Sequence, residues 1–63
     1  MTLAMNLKRL RKAKGSTQEA LARKAGVSLG YLQRLEMGRH DPSLSMLRKL
    51  ARALSVKITR LLE

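Results

Sequence analysis

Apolar residues recur at intervals of three and four in five short blocks, and no block shows the alternation with period two of a half-buried strand. The pattern predicts five helices and no strand. The first runs from about Met5 to Lys14, with Leu7, Leu10, Met5 and the aliphatic stem of Lys14 inward, and Lys8, Arg9 and Lys12 outward. The second follows Thr17, whose hydroxyl suits a cap, and ends at about Ala25; Glu19 in its first turn and Arg23 and Lys24 in its last suit the helix dipole. Ser28 caps a third helix that continues to about Glu36. A fourth begins after Ser43 and buries Leu44, Leu47, Leu50, Ala51 and Leu54. A short fifth, Ile58 to Leu62, adds Ile58, Leu61 and Leu62, with Val56 just ahead of it. Gly15, Gly26, Gly38 and the Asp41-Pro42 pair fall between the blocks. Met1, Met5, Met37 and Met46 read as core edge and chain start.

The stretch from Thr17 to Met37 carries the most information. Leu21, Ala25, Val27, Leu32 and Leu35 face inward from the second and third helices, and Ala22 lies where the two cross, a place that favours a small side chain. Gly26 falls in the tight turn between them, where a positive φ is needed. Two short helices across such a turn form a helix-turn-helix, which makes double-stranded DNA the leading candidate partner.

Charge points the same way. With 14 Lys and Arg against 4 Asp and Glu, the 63 residues carry a formal charge of +10. That balance favours a polyanion: nucleic acid first, then an anionic membrane surface, then an acidic protein. Sixty-three residues make one domain, 1–63, near the lower size limit for a fold held by packing alone. No cysteine is present, which excludes a disulfide scaffold or a thiolate metal site. No apolar run approaches the roughly 20 residues needed to span a bilayer, so the expected location is cytoplasmic, at the nucleoid. Tyr31, the single aromatic residue, does not make a stacking platform for single strands.

The segments LKRLRKAKG, TQEALARKAGVS, YLQRLEMGR, DPSLSMLRKLARAL and SVKITRLL together resemble the phage-repressor and Cro type of domain, lambda-repressor-like and XRE-like, over about Leu7 to Leu62. The resemblance implies an all-helical, compact five-helix domain with the helix-turn-helix at helices two and three. It further implies that the third helix enters the major groove while the second crosses the backbone. By position, Ser28, Leu29, Gly30 and Arg34 would face the bases. Thr17, Gln18, Tyr31, Arg39 and His40 would position the phosphate backbone, as would Lys12 on the basic first helix. Arg11 and Glu36 match a pair that forms a largely buried salt bridge in the family.

Arg34 has the chemistry for the leading base contact, because a guanidinium can bond guanine O6 and N7 together, worth about 1–3 kcal/mol of discrimination. Leu29 and Gly30 depart from the family, whose members often carry hydrogen-bonding side chains there, so direct readout is expected to be sparse. Lys57 stands where a helix cap is usual. The resemblance also implies a symmetric dimer on a two-fold site; apolar Ile58, Leu61 and Leu62 offer a small seam for it, and dimerisation is expected either to be weak until DNA is present or to need residues outside this sequence.

Bland readings stand beside these. Tyr31 is equally well a partly exposed ring packed on its helix, and His40 an ordinary loop histidine. Arg48, Lys49, Arg52, Lys57 and Arg60 lie where the family keeps away from the groove; they are either solubility charges or a second polyanion contact. Four scattered acids and one histidine supply no catalytic constellation, and no cofactor or metal is expected. The expected activity is that of a sequence-specific DNA-binding regulator, most simply an autoregulatory repressor. The rivals are an antitoxin whose basic surface neutralises an acidic toxin, and a membrane-active basic peptide.

Overall fold

The computed structural model describes residues 2–63; Met1 lies outside them. Five helices follow one another: α1 (Leu3–Ala13), α2 (Gln18–Ala25), α3 (Leu29–Glu36), α4 (Leu44–Ala53) and α5 (Ile58–Leu62). No strand occurs among the described residues. The hydroxyls of Thr2, Thr17, Ser28 and Ser43 each accept a hydrogen bond from the backbone N–H three residues on, at 3.0–3.2 Å. Each satisfies a donor that the first turn of a helix leaves without an intrahelical partner. Lys57 gives α5 no side-chain cap.

The exits of α1 to α4 also share one device. At the end of α2, Gly26 adopts a left-handed conformation with φ 73°, its N–H bonds Arg23 O at 3.2 Å, and Val27 N–H reaches back to Ala22 O at 3.0 Å. This is a Schellman turn, and a Cβ on Gly26 would meet nothing within 4 Å, so backbone conformation rather than space calls for glycine. Gly15 and Gly38 close α1 and α3 with the same pair of bonds. The fourth turn, after α4, has Ser55 at φ 57°, bonded to Arg52 O, with Val56 N–H on Ala51 O. A serine thus occupies a position that glycine fills in the other three.

Packing joins α3 to α1 and α2, α4 to α2 and α5, and α5 back to α1, so that the five helices close into a ring. Its body measures 24 × 22 × 19 Å. Leu7, Leu21, Leu32, Leu35, Leu50 and Leu61 fill the centre and are essentially solvent-free, and Ala22, Ala25 and Ala51 let the backbones approach. Burial of one such leucine contributes about 1.5–3 kcal/mol.

Four inward assignments are corrected. Met5 is 58% exposed, because it lies two residues, about 200° round the helix, from buried Leu7; the inner stripe of Leu7 and Leu10 extends back through Asn6 and Leu3 instead, and α1 begins two residues earlier than expected, at a Thr2 cap. The Lys14 stem is exposed as well, since Lys14 already lies beyond the last turn of α1. Leu44 (56%) stands at the first position of α4, ahead of the stripe that starts at Leu47, while half-buried Met46 packs against the core. In the one-turn α5, Leu61 and Ile58 use the inner side and leave Leu62 57% exposed.

One buried polar residue was not anticipated. Asn6 is completely buried; its side-chain amide donates to Leu61 O at 3.0 Å and Glu63 O at 2.7 Å, while its Oδ1 accepts from Arg9 Nη2 at 3.0 Å. It ties α1 to the carbonyl end of α5.

Candidate nucleic-acid interface

The orientation of α3 is set by an ion pair beneath it. Arg11 of α1 and Glu36 at the end of α3 meet bidentately, Nε to Oε2 at 2.7 Å and Nη2 to Oε1 at 3.0 Å, with side chains only 10% and 3% exposed. Arg11 Nη1 also donates to Ser16 O at 2.9 Å. The hydrogen bond from Arg11 to Glu36 raises the Arg11 pKa above its ordinary value; burial opposes this and the Glu36 charge adds to it. A buried carboxylate needs several donors, and Gln18 provides another: its Nε2 reaches Glu36 Oε1 at 3.1 Å. Gln18 Oε1 in turn accepts from Gln33 Nε2 at 3.4 Å. The four side chains link α1, α2 and α3 into one hydrogen-bonded unit.

With Leu32 and Leu35 pointed into the core, helical periodicity leaves Leu29 and Gln33 in one outward row and Gly30 and Arg34 in the next. Arg34 is exposed, and its guanidinium lies back over Gly30, where a Cβ would meet Nη1 at 3.6 Å. Ser28 and Thr17 are exposed and spend one oxygen lone pair on their caps, which leaves each O–H to donate outward. Both stand at helix N-termini, whose partial positive charge favours an anion.

Tyr31 and His40 come together edge to face, with ring centroids 5.0 Å apart at 75°. The half-buried tyrosine thus steadies the segment that carries Arg39 and His40, both exposed. Lys12 is grouped differently: it lines a shallow groove along α1 with Met5, Lys8 and Arg9, and no α3 residue lines that groove. Gln33 was not singled out from the sequence, although it lies one turn after Leu29 on the same exposed row. Gln18, expected to position the phosphate backbone, has its amide committed to Glu36, so at most one of its N–H groups remains to donate outward.

The profile of the Helix-turn-helix family matches residues 7–61. The chain belongs to this family. Among helix-turn-helix relatives, the immunity repressor protein of Bacillus phage phi105 is 41% identical over 59 residues, which span 94% of this chain and 41% of the phage protein. An uncharacterised HTH-type transcriptional regulator of Sinorhizobium fredii is 47% identical over 51 residues, 81% of this chain and 66% of that protein. The chain therefore spans between two fifths and two thirds of the length of these relatives. Among solved structures, the biofilm master regulator SinR in complex with DNA superposes with a TM-score of 0.93 at 35% identity, covering 98% of this chain and all of that one. The restriction-modification controller protein C.AhdI from Aeromonas hydrophila gives 0.91 at 37% identity, over 94% and 89% of the two chains. These structures bear out the five-helix, lambda-repressor-like architecture expected from the sequence.

Proposed function

We propose that this helix-turn-helix protein binds double-stranded DNA by laying the outward rows of α3 in the major groove, and that it regulates transcription by doing so. The observation that carries the proposal is the pairing of an exposed Arg34, above Gly30, with a recognition helix fixed from below by Arg11, Glu36 and Gln18. A rigid helix presenting a guanidinium is what selective contact with guanine requires. Kinship with a phage immunity repressor and the likeness to SinR, solved with DNA bound, support the reading.

In this reading Arg34 reads base edges, with Ser28 donating and Leu29 pressing on a thymine methyl. Gly30 lets the helix approach closely. Thr17, Tyr31, Arg39 and His40 hold phosphates, Gln18 contributes its remaining N–H, and Lys12 supplies longer-range attraction. A two-fold operator would be bound by two copies, one helical turn apart. Because Leu61 is wholly buried within its own chain, the seam between copies reduces to exposed Leu62 and half-buried Ile58, which suits a dimer formed on DNA. An autoregulatory repressor is the simplest role.

The test compares Arg34→Ala with Lys12→Ala on a selected site and on random duplex. Arg34→Ala lowers affinity for the selected site about 5- to 150-fold and hardly affects random DNA, whereas Lys12→Ala lowers both alike and flattens the salt dependence. Equal losses on both duplexes for Arg34→Ala remove it from the reading set.

A further inference from the structure

The cations of α4 find no use in this interface. Among the described residues only two ion pairs form, Arg11–Glu36 and the exposed Arg60–Glu63, so Lys24, Lys49 and Arg52 have no carboxylate partner. These three line one cleft of about 430 Å³ between the C-terminal ends of α2 and α4, closed below by Ala25, Ala53 and Ser55. Arg48 follows on the same exposed side of α4, one turn before Arg52. The cleft holds no acidic residue and none from α3.

Position separates it from the first duplex. In the ring of helices α3 packs on α1 and α2 while α4 packs on α2 and α5, and the cleft lies at the C-terminal end of α4, away from its N-terminal turn, where Met46 borders Tyr31 and Arg34. Duplex DNA, with a persistence length of about 500 Å, does not wrap round a body 24 Å across to touch both.

We infer that the cleft of Lys24, Lys49 and Arg52 is a second polyanion site that takes the phosphate backbone of another duplex, so that the protein bridges two DNA segments. The inference rests on the reading that α3 holds the first. The lining favours DNA over an acidic protein: it offers three cations and no apolar side chain larger than alanine, whereas a protein interface needs an apolar, often aromatic, centre. A phosphate backbone asks for cations and nothing else. The partly negative C-terminal ends of α2 and α4 offset about one of the three positive charges, and a phosphate backbone would relieve the repulsion that remains.

The experiment immobilises a duplex carrying the selected site, saturates it with protein, and measures capture of a second, labelled duplex of random sequence. Wild type should capture it, and capture should fall about 40-fold between 50 and 200 mM salt if three phosphates are contacted. Lys24→Gln/Lys49→Gln/Arg52→Gln should still occupy the first duplex, which also shows that it folds, yet capture about tenfold less of the second. Lys8→Gln/Lys14→Gln/Lys57→Gln, which removes the same charge elsewhere, should still capture it. Because α3 is intact in both variants, bridging through two recognition helices of a dimer would leave the cleft variant unimpaired, and that result overturns the inference. So does occupancy of the first duplex without capture by wild type, or cleft-dependent binding of poly-glutamate in preference to duplex, which would assign the site to an acidic protein. Failure to occupy the first duplex at all counts instead against the reading of α3.

Discussion

Replacing Glu36 by glutamine keeps its shape and removes its charge beneath the recognition helix. Arg11 remains 10% exposed in its side chain, retains Ser16 O, and faces an amide that supplies one acceptor where the carboxylate supplied two. Either way round, the amide NH2 faces an Arg11 N–H, donor against donor, and in one of the two orientations it faces the Gln18 amide N–H as well. Breaking a buried pair by neutralising one partner costs about 3–5 kcal/mol, and the surviving acceptor places Glu36→Gln near 3 kcal/mol. A 63-residue domain has on the order of 3–9 kcal/mol in total. Thermal unfolding followed by helical circular dichroism should therefore show a fall in Tm of roughly 12–24 °C. The fall should be the same at pH 6 and pH 9. With the Arg11 pKa raised on folding, its contribution is fully present below the unfolded value and is lost only as pH rises through the still higher folded one, beyond this window. A drop of less than about 4 °C would mean that the pair behaves as an exposed one, and would refute the argument that it fixes α3.

Substitutions at three other positions have equally definite outcomes. Ser55→Gly relieves a left-handed serine and should raise stability by about 1–2 kcal/mol, read as a higher urea midpoint with unchanged slope. Asn6→Ala strands the Leu61 carbonyl and should cost about 1–3 kcal/mol; Asn6→Asp, though isosteric, should cost more, because it turns an anion toward two carbonyl oxygens. If the aspartate proves the milder change, the amide orientation is wrong. Gly30→Ala should stabilise α3 by up to about 1 kcal/mol in the melting curve while weakening binding to the selected duplex in a gel-shift titration, since the new methyl stands beside Arg34 on the proposed contact surface.

What could be read from the sequence was what local chemistry decides. Thr17, Ser28 and Ser43 announce helix starts because their hydroxyls reach only three residues, and Gly26 announces a turn because its φ is a property of one residue. The start of α1 is less legible, because the Thr2 cap stands outside the strong apolar stripe; Met5 faces outward and Asn6 inward because Leu7 and Leu10 fix the inner side of the helix. The Asn6 staple was illegible because its partners lie 55 and 57 residues away. Ser55 was missed because a serine in a glycine position carries no turn signal of its own. In the candidate site, Arg34 stood out by its chemistry. Gln33 did not, since its contact with Gln18 crosses the turn and emerges only when α2 and α3 are packed.

The central claim is that α3 reads sequence, and selection of bound duplexes from a random library, at near-physiological and then higher salt, tests it most directly. The account predicts enrichment of a two-fold site that survives the higher salt, with a guanine whose selection disappears for Arg34→Ala. Binding without any enriched site, collapsing as salt rises, would contradict it and leave only attraction between a basic domain and phosphate.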